Sequence, residues 1–347
     1  MMNSQPGKSR SRMLPLLGLT ALALVVVAGS AVAIVVAVRS KPQAEASSLS
    51  ALPDTGAEKS QSLAEAFDAA RRYLDAQQPG KAEAILRAAI KKVPENQQAH
   101  LLLGETLLQQ NRVRDAYDEY DRAIFIGPDN PEYRYAAATI AAQIGRLDDA
   151  ELHYRAAQQQ DRANPKYPLY LAQVQRKLGY TDEAKKNLLI AAKLDPDLAT
   201  AWGSLAAIAL DENKLTIADQ HIAKARNLDP DNLAWRVIKA QVLRRSNKPE
   251  DAVALLNALP RDVRADNPGV LLELAQSYGL LKQPDNAAGI YIDAAELQPD
   301  TAEYSYQAAL WLQRAGKIDR AITYAQQAAM QGHPQAPVLV TSLTEAQ

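Results

Sequence analysis

The 347-residue chain has no cysteine. Without thiols there is neither a disulfide framework nor a thiolate metal site. This leaves the compartment open, because a cysteine-free chain persists in any of them. Aromatic residues make up 5% of the chain, and phenylalanine occurs only as Phe67 and Phe125. A core so poor in large rings is built of small side chains at close approach. The four histidines are His100, His153, His221 and His333, and none has partners at metal-ligand spacing. Phosphate-loop, dinucleotide and nucleophile-elbow strings (Gly-x4-Gly-Lys-Ser/Thr, Gly-x-Gly-x-x-Gly, Gly-x-Ser-x-Gly) are missing. No catalytic, cofactor-binding or metal-ligating residue is therefore assigned, and the chain reads as a non-enzyme without a cofactor. Alternating β-branched runs are lacking too, which makes the expected class all-α.

What the chain does have is a period. Ala82, Ala116, Ala150, Ala184, Ala218, Ala252, Ala287 and Ala321 follow one another at 34 residues, with a single step of 35 between Ala252 and Ala287. About twelve residues before each lies a second small residue: Ala70, Gly104, Ala138, Ala172, Ala206, Ala240, Ala275 and Ala309. Seven residues after it comes a third, Ala89, Ala123, Ala157, Ala191, Ala225, Ala294 and Ala328, with Leu259 as the exception. Proline closes many periods, at Pro94, Pro128, Pro196, Pro230 and Pro299, where it stops a helix. Apolar residues recur at helical spacing on both sides of a polar turn, as in Leu101–Leu108 and then Ala116, Tyr120, Ala123 and Ile124. Neither helix of a period buries its stripe alone, so neighbouring periods must share one core. Ser62 followed by Glu65 reads as a capping box opening the first helix.

Period, small-residue sites, terminal proline and the Gly-x4-Ala turns at Gly145–Ala150, Gly179–Ala184 and Gly316–Ala321 resemble the tetratricopeptide repeat. The resemblance covers Leu63 to Pro334 and implies a right-handed superhelical solenoid of about eight helix–turn–helix repeats. It is expected over residues 62–334, with a capping segment at 335–347 in which Val338, Leu339 and Leu343 cover the last repeat. The sixth repeat departs from the rule: Leu259-Pro260 stands where its neighbours continue the second helix, and Pro260 should end it early before a longer joint.

Ahead of the repeats, residues 13–38 are 26 positions without a charge, dense in Leu, Val, Ala and Ile. As a helix they span about 39 Å at ~1.5 Å per residue, enough for a ~30 Å hydrocarbon layer. A cleavable signal would have a shorter apolar region, and Ile34–Val38 after Ala31-Val32-Ala33 makes an odd mature terminus. The expectation is one uncleaved transmembrane helix, with residues 1–12 as a short cytoplasmic tail and 39–61 as a flexible linker. Gly29-x-x-x-Ala33 inside it permits close helix packing and hence a homodimer. Lys8, Arg10 and Arg12 precede the run; Arg39 and Lys41 follow it. The positive-inside tendency then leaves the N-terminus in the cytoplasm and the repeats periplasmic or otherwise extracytoplasmic on the inner membrane.

These five are the basic residues of the first 41 positions, which hold no acid; of 39 basic residues 34 remain, against 40 acidic. A domain charge of about −6 argues against nucleic acid as a general partner. The resemblance points instead to a protein or extended peptide held on the first helices of the repeats. It places Gln98, Tyr135, Lys166, Tyr170, Gln173, Arg176, Lys177, Gln241, Arg244, Arg245, Gln276, Tyr306 and Arg314 on that groove. Amides and tyrosines suit a peptide backbone, and arginine with lysine suits carboxylates. Arg176-Lys177 and Arg244-Arg245 also suit the alternative role of solvated helix ends favoured by the dipole. The chain is similar in architecture to bacterial single-span repeat proteins of secretion, envelope assembly or cytochrome maturation. The expected function is a membrane-anchored scaffold or adaptor. Two alternatives stand beside it: a structural subunit of an export, pilus or polysaccharide-secretion machine, and a periplasmic holdase chaperone. A reporter active only outside the cytoplasm, fused after Gln347, should be active; a silent reporter overturns this topology.

Overall fold

The computed structural model describes residues 55–345. Among the described residues it is helical throughout, without strands. The first repeat pairs α1 (Thr55–Asp75) with α2 (Pro79–Lys92), and the second α3 (Gln97–Gln109) with α4 (Val113–Ile126). The third and fourth pair α5 (Pro131–Gln143) with α6 (Leu147–Gln160) and α7 (Lys166–Leu178) with α8 (Thr181–Leu194). The fifth holds α9 (Ala199–Asp211) and α10 (Leu215–Leu228), the sixth α11 (Leu233–Arg245) and α12 (Pro249–Asn257). After a short α13 (Arg261–Ala265) come α14 (Pro268–Leu280) with α15 (Pro284–Leu297), and α16 (Ala302–Arg314) with α17 (Ile318–Met330). The final helix is α18 (Ala336–Glu345), whose Leu343 is fully buried against the last repeat.

All eight period alanines have zero exposure. At such fully buried places a larger side chain would force the packed helices apart. Gly104 shows the constraint at its tightest, since a Cβ there would lie 2.8 Å from Tyr120 Cδ2. Between repeats the rule is the same: a Cβ on Gly203 would stand 2.2 Å from the Trp235 ring.

The turn inside every hairpin is also uniform. Five residues before each period alanine the backbone takes a left-handed conformation: Gln77, Asn111, Gly145, Gly179, Asn213, Asn247, Lys282 and Gly316 all have positive φ. The next residue's N–H donates back five residues to the first helix, as in Arg112 to Leu107 (2.9 Å) and Lys214 to Ala209 (2.7 Å). That bond closes a Schellman motif and satisfies a carbonyl the helix end would otherwise leave unpaired. Only three of the eight turns carry glycine, so five hold a side chain in a conformation that disfavours one.

Successive repeats are keyed by the residue that follows the period alanine. Glu83 accepts from Arg112 (2.9 Å) and Gln110 (2.9 Å) of the second repeat. Arg146 lies 4.5 Å over the Tyr117 ring, and Lys185 pairs with Glu212 at 3.0 Å. At the irregular joint α12 is only nine residues long, and α13 takes the place of its missing end. Arg261 ties α13 to Asp293 (2.7 Å) and Glu296 (2.8 Å), while the Ala265 carbonyl accepts from the Tyr304 hydroxyl (3.3 Å). α12 still packs directly on α14, so the stack runs through the insertion.

Three expectations change. Val338, expected to cover the last repeat, is exposed, and Leu339 and Leu343 alone of the three pack against it. The first helix begins at Thr55, so Ser62 lies inside α1 rather than capping it, and the last residues of the expected linker are helical. The joint expected after Pro260 contains a helix, α13. Residues 1–54, with the apolar run, the Gly29 motif and most of the linker, lie outside the described residues. Among those described, no helix is long and apolar enough to cross a membrane.

The left-handed turns make a stability prediction. Lys282→Gly should raise unfolding stability by about 1 kcal/mol by removing the Cβ penalty, whereas Gly203→Ala should lower it by ~1–3 kcal/mol by overpacking against Trp235. Denaturant titration checks both; a destabilised Lys282→Gly would show that the turn carries no strain.

Candidate peptide groove

The two helices of a repeat play different parts. The first helices are the more buried row: nine of thirteen residues of α3 and eight of thirteen of α9 are buried, against three of fourteen in α10. First helices of successive repeats also approach each other, as α1 with α3, α9 with α11 and α11 with α14, more closely than the second helices do. A stack whose one row is tighter than the other curves, with the tighter row on the inside. The first helices therefore line the concave face.

On that face the third and fourth repeats carry a tyrosine cluster. Tyr135 of α5 lies 5.7 Å from Tyr154 of α6, 5.9 Å from Tyr167 and 5.5 Å from Tyr170, both of α7, between ring centroids. Tyr154 and Tyr170 stack at 5.9 Å with 17° between planes. Such pairs contribute about 0.5–1.5 kcal/mol each beyond burial. Tyr154 and Tyr167 are buried, while Tyr135 and Tyr170 are half-buried. Burial pushes the Tyr135, Tyr154 and Tyr167 hydroxyls well above their ordinary range, so they remain neutral donors. Two are committed: the Tyr167 hydroxyl donates to Glu132 (2.9 Å), and that of Tyr154 meets the Thr139 hydroxyl at 2.8 Å.

Around this bed α7 gathers Lys166, Gln173, Arg176 and Lys177. Lys166 and Lys177 are exposed and Gln173 half-buried. Arg176 reaches Asp211 of the next repeat at 3.8 Å. The remaining expected groove residues do not join it. Gln98, Gln241 and Gln276 sit half-buried on α3, α11 and α14. Arg244 is spent on Glu273 of the seventh repeat, and Arg245 donates to the Leu210 carbonyl (2.8 Å) at the end of α9. Tyr306 stacks on His333 at 4.0 Å and donates to Gln335 (3.0 Å), which fastens the C-terminal cap. Arg314 lies over the Trp311 ring at 4.3 Å. Sequence reasoning missed Tyr154 and Tyr167 as the support of the bed. The available signal was four tyrosines within 36 positions of a chain that has fourteen in all. Among the described residues no group of His, Cys, Asp or Glu is arranged to hold a metal ion.

Comparison with known proteins agrees with the repeat fold. A tetratricopeptide repeat family model matches residues 67–131 and 114–168, and one for the Psidin N-terminal tetratricopeptide region matches 208–339. The chain is built of tetratricopeptide repeats. Yeast Tom70 is similar in structure, with a TM-score of 0.50 and 19% identity over 78% of this chain and 59% of that one. The Cut9–Hcn1 hetero-tetramer of the APC/C gives 0.50 and 14% over 76% and 52%. A tetratricopeptide repeat protein from Parabacteroides merdae gives 0.48 and 16% over 82% and 99%. The chain spans only a little over half the length of the first two. At these identities the likeness is one of fold. No curated protein sequence matches the chain.

The joint between the sixth and seventh repeats gives a pH prediction. Glu273 is buried with Arg244 as its partner, and desolvation pushes its carboxyl up despite the guanidinium. A raised folded pKa means its contribution is full below the free-carboxyl range and is lost as pH rises through the folded value. The stability of Glu273→Gln relative to the parent should therefore improve steadily from pH 4 to pH 7 in denaturant titrations. A difference independent of pH would refute the shift.

Proposed function

We propose that this chain is an interaction scaffold that holds an extended segment of a partner protein along its first helices, centred on the third and fourth repeats. The tyrosine bed carries the reading. Tyr135 and Tyr170 are held by ring contacts on three helices, so presenting their edges to a ligand costs little further ordering. A rigid aromatic floor with Gln173 beside it and Lys166 and Lys177 at its ends accepts backbone groups and apolar side chains from one segment, and its charge favours acidic flanks.

The proposal extends to place. The uncharged run at 13–38 supports tethering to a membrane, with the repeats on the extracytoplasmic side and a role in envelope assembly or secretion. A single tethered array that recruits one partner accounts for the groove without requiring chemistry from the chain itself.

Full-length protein, solubilised in detergent and used as bait, should retain one stoichiometric partner. Tyr170→Ala should weaken that retention about tenfold or more, as loss of an aromatic anchor does, with helicity unchanged. Retention unaffected by Tyr170→Ala would place the partner elsewhere, and a spread of unfolded clients would favour a holdase.

A further inference from the structure

The second helices form the outer row of the stack, and the fifth and sixth residues after each period alanine lie outside the core in every repeat. Seven repeats place charged, polar or small residues at one or both, from Asp121-Arg122 in the second to Gln326-Gln327 in the eighth. The fourth repeat alone has large aliphatic residues at both, Leu189 and Ile190 of α8, which are 47% and 43% exposed. One turn further on, Leu194 is 39% exposed. Spacings of three and four residues put Lys186, Leu189, Ile190, Lys193 and Leu194 on one face of the helix. Neither Lys186 nor Lys193 pairs with any described residue.

The stack makes no use of this stripe. The opposite face of α8, with Ala184, Leu188, Ala191 and Ala192, already fills the core. Its half-buried flank is tied to both neighbours, Asn187 to Gln158 of the third repeat (3.1 Å) and Lys185 to Glu212 of the fifth (3.0 Å). Charge sets the fourth repeat apart as well. Residues 163–196 hold six basic and three acidic residues, against four and six in 129–162 and three and five in 197–230. The acids of α8, Asp182 and Glu183, stand in its first turn, away from Leu194. Beyond the helix end Asp195 is half-buried and accepts the N–H of the exposed Asp197 (3.0 Å). An aliphatic stripe set among unpaired lysines, in a locally cationic repeat, matches a surface that is anionic outside and apolar beneath.

We infer that the outer face of α8 docks on a bilayer containing anionic phospholipid. Leu189, Ile190 and Leu194 enter the headgroup boundary, and Lys186 and Lys193 meet the phosphates. The inference rests on the membrane tether proposed above, which also argues for lipid over a protein as the occupant. Between residue 38 and Thr55 lie sixteen residues, which reach at most about 55 Å at ~3.4 Å each. A face held within that distance meets the bilayer at high effective concentration, so a small apolar stripe suffices. Because α8 is a second helix, its docking turns the first helices and their tyrosine bed away from the lipid, toward a partner.

The chain has no cysteine, so a single one can be introduced and labelled without further substitution. Full-length Leu189→Cys carrying a nitroxide is reconstituted in liposomes of equal parts phosphatidylcholine and phosphatidylglycerol. In EPR power saturation the label should gain access to oxygen and lose access to an aqueous nickel chelate. The same label at Gln326→Cys, the matching place in the eighth repeat, should stay in water. Lys186→Gln with Lys193→Gln should lower the docked-to-free ratio about thirtyfold, at roughly fivefold per lysine, and pure phosphatidylcholine should act in the same direction. Retention of the chain by the liposomes reports the tether and the label reports the face, so the two readings fail separately. A retained chain whose label at position 189 stays in water would overturn the inference, as would equal immersion at positions 189 and 326. Immersion indifferent to lipid charge and to both lysines would overturn it too. Dipolar coupling between position-189 labels on two chains, without lipid contact, would give the face to a second copy instead.

Discussion

Everything in this array follows from how closely two helices approach at the period alanine. Packed helices lie roughly 8–10 Å apart depending on the side chains between them, and small residues permit the short end of that range. That distance sets the hairpin, and the hairpin sets which side chains face the next repeat. Because each repeat buries its second face only against a neighbour, an error in one hairpin spreads along the stack instead of staying in one place. The zero exposure of all eight alanines, despite wide variation around them, shows how little latitude exists at that point.

The turn is the second constraint, and it is subordinate to the first. To bring the second helix back at that distance, the chain reverses through one left-handed residue whose conformation is imposed by the packing, not chosen by the side chain. Gln77 and Lys282 adopt it without being glycine or asparagine. Their cost is tolerable because the same geometry makes the hydrogen bond five residues back and buries the alanine. Local preference yields to tertiary packing here, as it does at Ser62, where a capping signal lies inside α1 because the helix has further residues to extend into.

Repeat boundaries, the all-α class and the location of the core were legible because one periodic rule states them eight times. The site was legible in part. Tyr135, Tyr170 and Gln173 follow from register alone, since register gives the face of a helix. Arg244 and Arg245 show where register stops: it places both at a groove end, but only three-dimensional contact shows that Glu273 and the Leu210 carbonyl already hold them. Tyr154 was passed over because it lies on a second helix, and its part is to support Tyr135 and Tyr170 from behind. Leu189 and Ile190 were hidden for another reason, because two aliphatic residues among many buried ones become unusual only once their places in the period are known to lie outside the core.

That contrast bears on how such a chain acquires specificity. Positions that set the hairpin cannot vary without loss of the stack, so they carry no information about a partner. Positions exposed on the second helices vary freely, and most carry little. The informative residues are those that break the repeat rule while the stack still closes around them. Tyr170 replaces a smaller residue of the other repeats on a first helix, Lys239 replaces an aliphatic core residue, and Glu273 with Arg244 puts an ion pair where two repeats meet. Each sacrifices packing that the other repeats keep. In a molecule whose stability is shared between neighbouring repeats, such local losses are borne by the whole array, and this lets a regular scaffold carry irregular sites.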